Sequence, residues 1–65
     1  MCQISVFVEK DGTEELLLED VTNLSIETTG VKISTLFEGS REVADTVVGS
    51  IDFMAGKVLL KQRQD

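Results

Sequence analysis

Apolar and polar side chains alternate with a period of two along most of the chain, starting at its amino terminus. Cys2, Ile4, Val6 and Val8 fall on one side, and Gln3, Ser5, Phe7 and Glu9 on the other. Successive side chains of a strand point to opposite faces, so this pattern predicts a half-buried strand. Asp11-Gly12 follows, a pair suited to the left-handed backbone of a tight hairpin turn. The next segment, Glu14 to Glu19, contains Leu16-Leu17-Leu18, which strand and helix accommodate equally by pattern. Its short length and the preceding turn favour a strand.

The alternation resumes at Leu24, Ile26 and Thr28, is interrupted at Thr29-Gly30, and continues through Val31, Ile33, Thr35 and Phe37. Glu38-Gly39-Ser40 reads as another turn. In Arg41 to Val48 the spacing of Val43, Ala44, Val47 and Val48 suits a helix that Ser40 would cap. Gly39 and Gly49 nevertheless bracket only nine residues rich in Val and Thr. Two short strands with a turn near Ala44-Asp45-Thr46 are expected there. A last hairpin places Ile51 and Phe53 on one face, turns at Met54-Ala55-Gly56 and returns through Lys57 to Gln62. About seven short strands at this spacing predict an all-β domain over residues 1–65, a small antiparallel barrel or a two-sheet sandwich. With no proline in the chain, Glu, Lys and Arg are left to guard the sheet edges.

Length then limits stability. A chain of 65 residues removes only about 60% of its unfolded surface on folding, so its core is thin. Such scaffolds are commonly reinforced by disulfides, a metal or a partner subunit. The single cysteine excludes an internal disulfide, leaving a metal or a second copy.

Net charge is −6, from twelve acidic and six basic side chains. Nucleic-acid affinity comes largely from Lys and Arg displacing counterions, so nucleic acid is not the expected partner. An anionic membrane is disfavoured for the same reason. The cluster Lys57, Lys61 and Arg63 reads as a solvated strand edge and tail. Charges within the first fifteen residues leave no signal-peptide apolar stretch. No run of about eighteen apolar residues is present to span a bilayer. The expected location is the cytoplasm, where thiols stay reduced.

The side-chain chemistry argues against an enzyme. There is no histidine to act as a base near neutral pH. The sequence contains neither a nucleophile elbow nor a glycine-rich phosphate loop. The acidic runs around Glu14, Glu15, Glu19 and Asp20, and Glu38, Glu42 and Asp45, read as solvated surface.

Cys2 stands apart because of its covalent neighbours. The Met1 amine, the Cys2 amide nitrogen and the Cys2 sulfur can close two adjacent five-membered chelate rings. Planar nitrogen and thiolate donation suits nickel(II) or copper(II), and thiolate also attracts zinc. The plainer reading of Cys2 is a small buried hydrophobe at the head of a strand. One chain supplies about three donors at most. A twofold axis near the amino termini would bring a second Cys2 to the same ion, so a homodimer is expected.

The chain resembles the CooT family of small nickel-binding proteins. The resemblance rests on Met-Cys heading the strand "MCQISVFVEK", the acidic arm "EELLLEDV", the segment "KISTLFEGSREV" and the closing hairpin "GSIDFMAGKVLLKQ". It implies a cytoplasmic homodimer of small all-β subunits with Cys2 as the nickel ligand. It also implies a role in delivering Ni(II) to a nickel enzyme such as carbon monoxide dehydrogenase, or to its maturation machinery. Family members have also been labelled RNA-binding, from a likeness to SH3- or Sm-like barrels. That alternative meets an acidic chain with three aromatics, of which Phe7 is the one expected off its core face.

Overall fold

The computed structural model describes residues 3–63. Among them the regular structure is all strand: β1 (Ser5–Lys10), β2 (Thr13–Leu18), β3 (Val21–Glu27), β4 (Gly30–Thr35), β5 (Gly39–Ala44), β6 (Thr46–Asp52) and β7 (Lys57–Gln62). They form a four-stranded sheet ordered β2-β1-β7-β6 and a three-stranded sheet ordered β3-β4-β5. Of the two architectures expected from the sequence, the sandwich is the one adopted.

The hairpins follow the turn chemistry. Asp11 and Gly12 both have positive φ, 53° and 80°. Lys10 pairs with Thr13 across them, the geometry that matches strand twist in a two-residue turn. The segment Arg41 to Val48 divides into β5 and β6, and its β-branched valines suit both strands. Asp45, at φ 55°, is the corner where the chain leaves one sheet for the other. Its N–H donates to Thr29 O and its carbonyl accepts from Arg63 N, both at 2.8 Å. This corner therefore ties the β3–β4 turn to the end of β7.

One pairing departs from a purely antiparallel arrangement. β1 runs parallel to β7, with Val6 opposite Val58 and Val8 opposite Leu60. Parallel neighbours require a crossover, and here the whole second sheet lies between them in sequence. Two aromatic positions also differ from expectation. β4 ends at Thr35 and β6 at Asp52, so Phe37 and Phe53 lie in turns rather than on strand faces. Both are exposed.

The core consists of Val6, Leu18, Val31, Ile33, Val58 and Leu60, with Val6, Ile33 and Leu60 wholly buried. Ile4, Val8, Leu17, Leu24 and Val48 pack around it. A bulge resolves the three-leucine run: Val6 faces Leu18 while Phe7 faces Leu16, so Leu17 is the extra residue. Leu17 and Leu18 can then both serve the core while Leu16 turns outward. Gly30 permits the tight pairing of β4 and β5, since a Cβ there would stand 2.1 Å from the Val43 carbonyl oxygen.

Truncation of the core should be costly because few large side chains share it. Ile33→Ala is expected to lower unfolding free energy by about 2–5 kcal/mol. Urea denaturation should report this as a lower midpoint. A loss below about 1 kcal/mol would mean the sheets close over the cavity.

Candidate metal site

The predicted ligands Met1 and Cys2 lie outside the described residues, so the site is approached from the strand that follows them. Gln3 and Ile4 lead into β1, and two backbone bonds hold this start. Ser5 N donates to Gly56 O at 2.8 Å, and Val21 N donates to Ile4 O at 3.0 Å. The first links β1 to the β6–β7 turn; the second links it to the head of β3 in the other sheet. Leu36 N continues the chain of contacts by donating to Asp20 O at 3.0 Å. Three connections, Glu19–Asp20, Leu36–Glu38 and Phe53–Gly56, thus gather at the end of the sandwich where β1 begins.

Gly56 fits this place for two reasons. Its φ is +67°, and a Cβ would stand 2.5 Å from Gln3 O. Any side chain would displace the residues entering β1. The turn before it is held by Asp52, whose Oδ1 accepts from Met54 N and Ala55 N, each at 3.0 Å.

The carboxylates among the described residues do not assemble a metal centre. Among the described residues, no group of three Asp or Glu side chains is close enough to hold an ion. Glu14 is engaged with Lys57 at 2.6 Å, whereas Glu19 and Asp20 occupy the link at the other end of β2. Glu38 and Asp45 are likewise separated by the length of β5. With no histidine and a single cysteine in the sequence, thiolate donation to a metal can come only from Cys2.

The basic cluster does not act as one patch. Lys57 and Arg63 flank β7, about 20 Å apart by strand rise. The Lys57 ammonium lies 4.8 Å from the centre of the Phe7 ring on its way to Glu14. Both partners of that pair are more than one-third exposed, so its contribution to stability is about 1 kcal/mol or less. Arg63 Nη2 donates to Thr28 O at 2.7 Å.

Comparison with known proteins then places the chain. The family model for CooT, the CO dehydrogenase accessory protein, matches residues 1–61. The chain belongs to the CooT family. The chain also resembles a crystal structure attributed to CooT of Carboxydothermus hydrogenoformans, with TM-score 0.81 and 25% identity. That similarity covers 98% of this chain and 100% of the other. No match was found among curated proteins. Among the described residues, no helix is long and apolar enough to cross a membrane.

The packing around Gly56 can be tested separately from metal binding. Gly56→Ala should destabilise the protein more than Gly12→Ala. Both positions have positive φ, which costs about 1 kcal/mol with a side chain, but a Cβ at Gly12 meets nothing within 4 Å. The added contact at Gly56 should cost about 1–3 kcal/mol more. Thermal melts, with amide NMR shifts at Gln3 to Ser5, would measure it; equal losses would show that the chain start yields freely.

Proposed function

We propose that this protein is a cytoplasmic nickel-binding accessory protein that carries or senses Ni(II) for maturation of a nickel enzyme such as carbon monoxide dehydrogenase. Membership of the CooT family, across residues 1–61, carries this reading. The chemistry of the chain supports it. Cys2 is the only thiol and follows directly on the amino-terminal residue, where the Met1 amine and the intervening amide can complete a chelate. Nickel is cargo here, and the protein acts as a carrier rather than an enzyme.

The proposal includes a homodimer in which two Cys2 thiolates share one ion. The outer face of the four-stranded sheet supports a side-by-side arrangement. Phe7 is paired with Leu16 on one side and Leu59 on the other, forming an apolar rung on the face opposite Val6 and Leu60. Leu16 is 50% exposed in the single chain. A twofold axis in the plane of this face and parallel to its strands would place both starts of β1 at the same end. A mass near twice 7.1 kDa by light scattering is expected. Leu16→Glu should shift it to the single-chain value, whereas a wild-type monomer at micromolar concentration would refute the dimer.

Cys2→Ser should abolish tight Ni(II) binding by the untagged protein in calorimetry and remove the thiolate-to-nickel absorption band. A hydroxyl has nearly the size of a thiol but does not ionise to a comparable donor. The thiolate must lose its proton to bind, so wild-type affinity should fall as pH is lowered. Nickel binding by the variant at wild-type strength would place the site elsewhere.

A further inference from the structure

The edge strands of the two sheets are not equally protected. The edges are β2 and β6 in one sheet and β3 and β5 in the other. Residues opposite one another in register share a face, so the partners of core residues show what each edge turns inward. Ile33 is in the core and Val8 packs against it. Opposite them stand Arg41 on β5 and Glu15 on β2. Inward-pointing charges of this kind keep a foreign strand from adding to an edge. Val31 and Val58 are also core residues, but their partners are Ile26 on β3 and Ile51 on β6. Ile26 is 73% exposed and Ile51 49%, although both occupy core-facing positions.

The path of the chain puts the two isoleucines on one side of the sandwich. The β3–β4 turn meets the head of β6, where Asp45 N donates to Thr29 O. β4 ends at Thr35, which shares a cleft with Leu16, Leu17 and Leu18 of β2. β4 therefore crosses the four-stranded sheet diagonally, from the head of β6 to the last residues of β2. β3 starts at Ile4, to which Val21 N donates, and its Leu24 shares a cleft with Val58. It thus lies on the side of the diagonal that holds the tail of β6. Ile26 follows Leu24 on the same face, and Ile51 is the neighbour of Val58. Ile26 and Ile51 border one opening between the sheets, and Arg41 and Glu15 border the opposite one.

The smaller sheet is one strand short on this side. Three strands pack over four, and a strand added beside β3 would bury Ile26 and stand over Ile51. Two isoleucines bury far less than the about 800 Å² per partner of a stable interface. Apolar contact alone therefore holds no second globular surface here. An extended segment adds main-chain hydrogen bonds along the edge and needs apolar side chains only at alternate positions. Neither β3 nor β6 contains lysine or arginine, while Glu27 ends the first and Asp52 the second. That charge suits a segment with basic residues near its ends. The dimer described above uses the opposite face of the four-stranded sheet.

We propose that the β3 edge accepts an extended protein segment as a fourth strand of its sheet. Alternate apolar side chains of the segment cover Ile26 and Ile51, and lysine or arginine near its ends faces Glu27 and Asp52. This docking depends neither on nickel nor on Cys2.

The test uses the full chain, labelled with nitrogen-15, and three short synthetic peptides. The first alternates Val with Thr between terminal lysines, and the second has Ser in place of Val. The third repeats the first with N-methyl groups along its backbone, which remove the hydrogen-bond donors. The first peptide should shift amides over residues 23–27, slow their hydrogen exchange and bind most tightly. Ile26→Lys should weaken it about tenfold or more, as for loss of an interface anchor. Ile26→Thr should weaken it less, and both variants should keep the wild-type amide spectrum outside β3. Glu27→Gln should reduce the salt dependence of binding. Equal binding of the second or third peptide, shifts confined to other surfaces, or no binding of the first would overturn the proposal. So would conversion of a dimer to a monomer by Ile26→Lys, which would assign this edge to a second copy. Peptide affinity should be unchanged in Cys2→Ser; its loss there would tie the edge to the metal site instead.

Discussion

The parallel pairing of β1 with β7 is the constraint on which the remaining structure depends. It inserts the first strand between β2 and β7 and places Val6 and Val8 beside Val58 and Leu60. Without it the four-stranded sheet would separate into two hairpins, neither with enough apolar surface to stand alone. The pairing joins opposite ends of the chain, so its closure entropy must be offset by burial of the whole core. The few buried side chains concentrate this demand on Val6, Ile33 and Leu60.

The same pairing sets the environment of the end where β1 begins. Parallel alignment puts the start of β1 beside the start of β7 and hence beside the β6–β7 turn. Gly56 lets the two approach, while Val21 ties Ile4 to the second sheet. Gln3 to Ser5 are thereby held from two sides. Such anchoring suits the proposed ligand at position two, since a donor attached to a fraying strand would lose affinity through ordering cost.

Acidic charge and exposed apolar groups are divided between two surfaces with different consequences. On the outer sheet face, Phe7 is partly covered by Lys57 reaching to Glu14, so charges of both signs border the apolar rung. At the end where β1 begins, Phe37 and Phe53 are exposed, and Glu19, Asp20 and Glu38 lie in the connections. The mixed face can meet its own copy, because each sign finds its opposite there.

The sequence by itself determined the strand count, the Asp11-Gly12 hairpin, the inward set Ile4, Val6 and Val8, and the uniqueness of Cys2 as a thiol. These features are local: a period of two, a left-handed turn and a side chain's chemistry depend on residues a few positions apart. The Met-Cys opening also made the family legible, although Met1 and Cys2 themselves lie outside the described residues. Only the tertiary structure decided the parallel β1–β7 contact, the passage between sheets at Asp45 and the removal of Phe37 and Phe53 from strand faces. Alternation predicts which side of a strand is apolar but not where the strand stops or which distant strand covers it. Those choices were made by packing two sheets around one small core, which left the surplus aromatics in turns at the end where β1 begins.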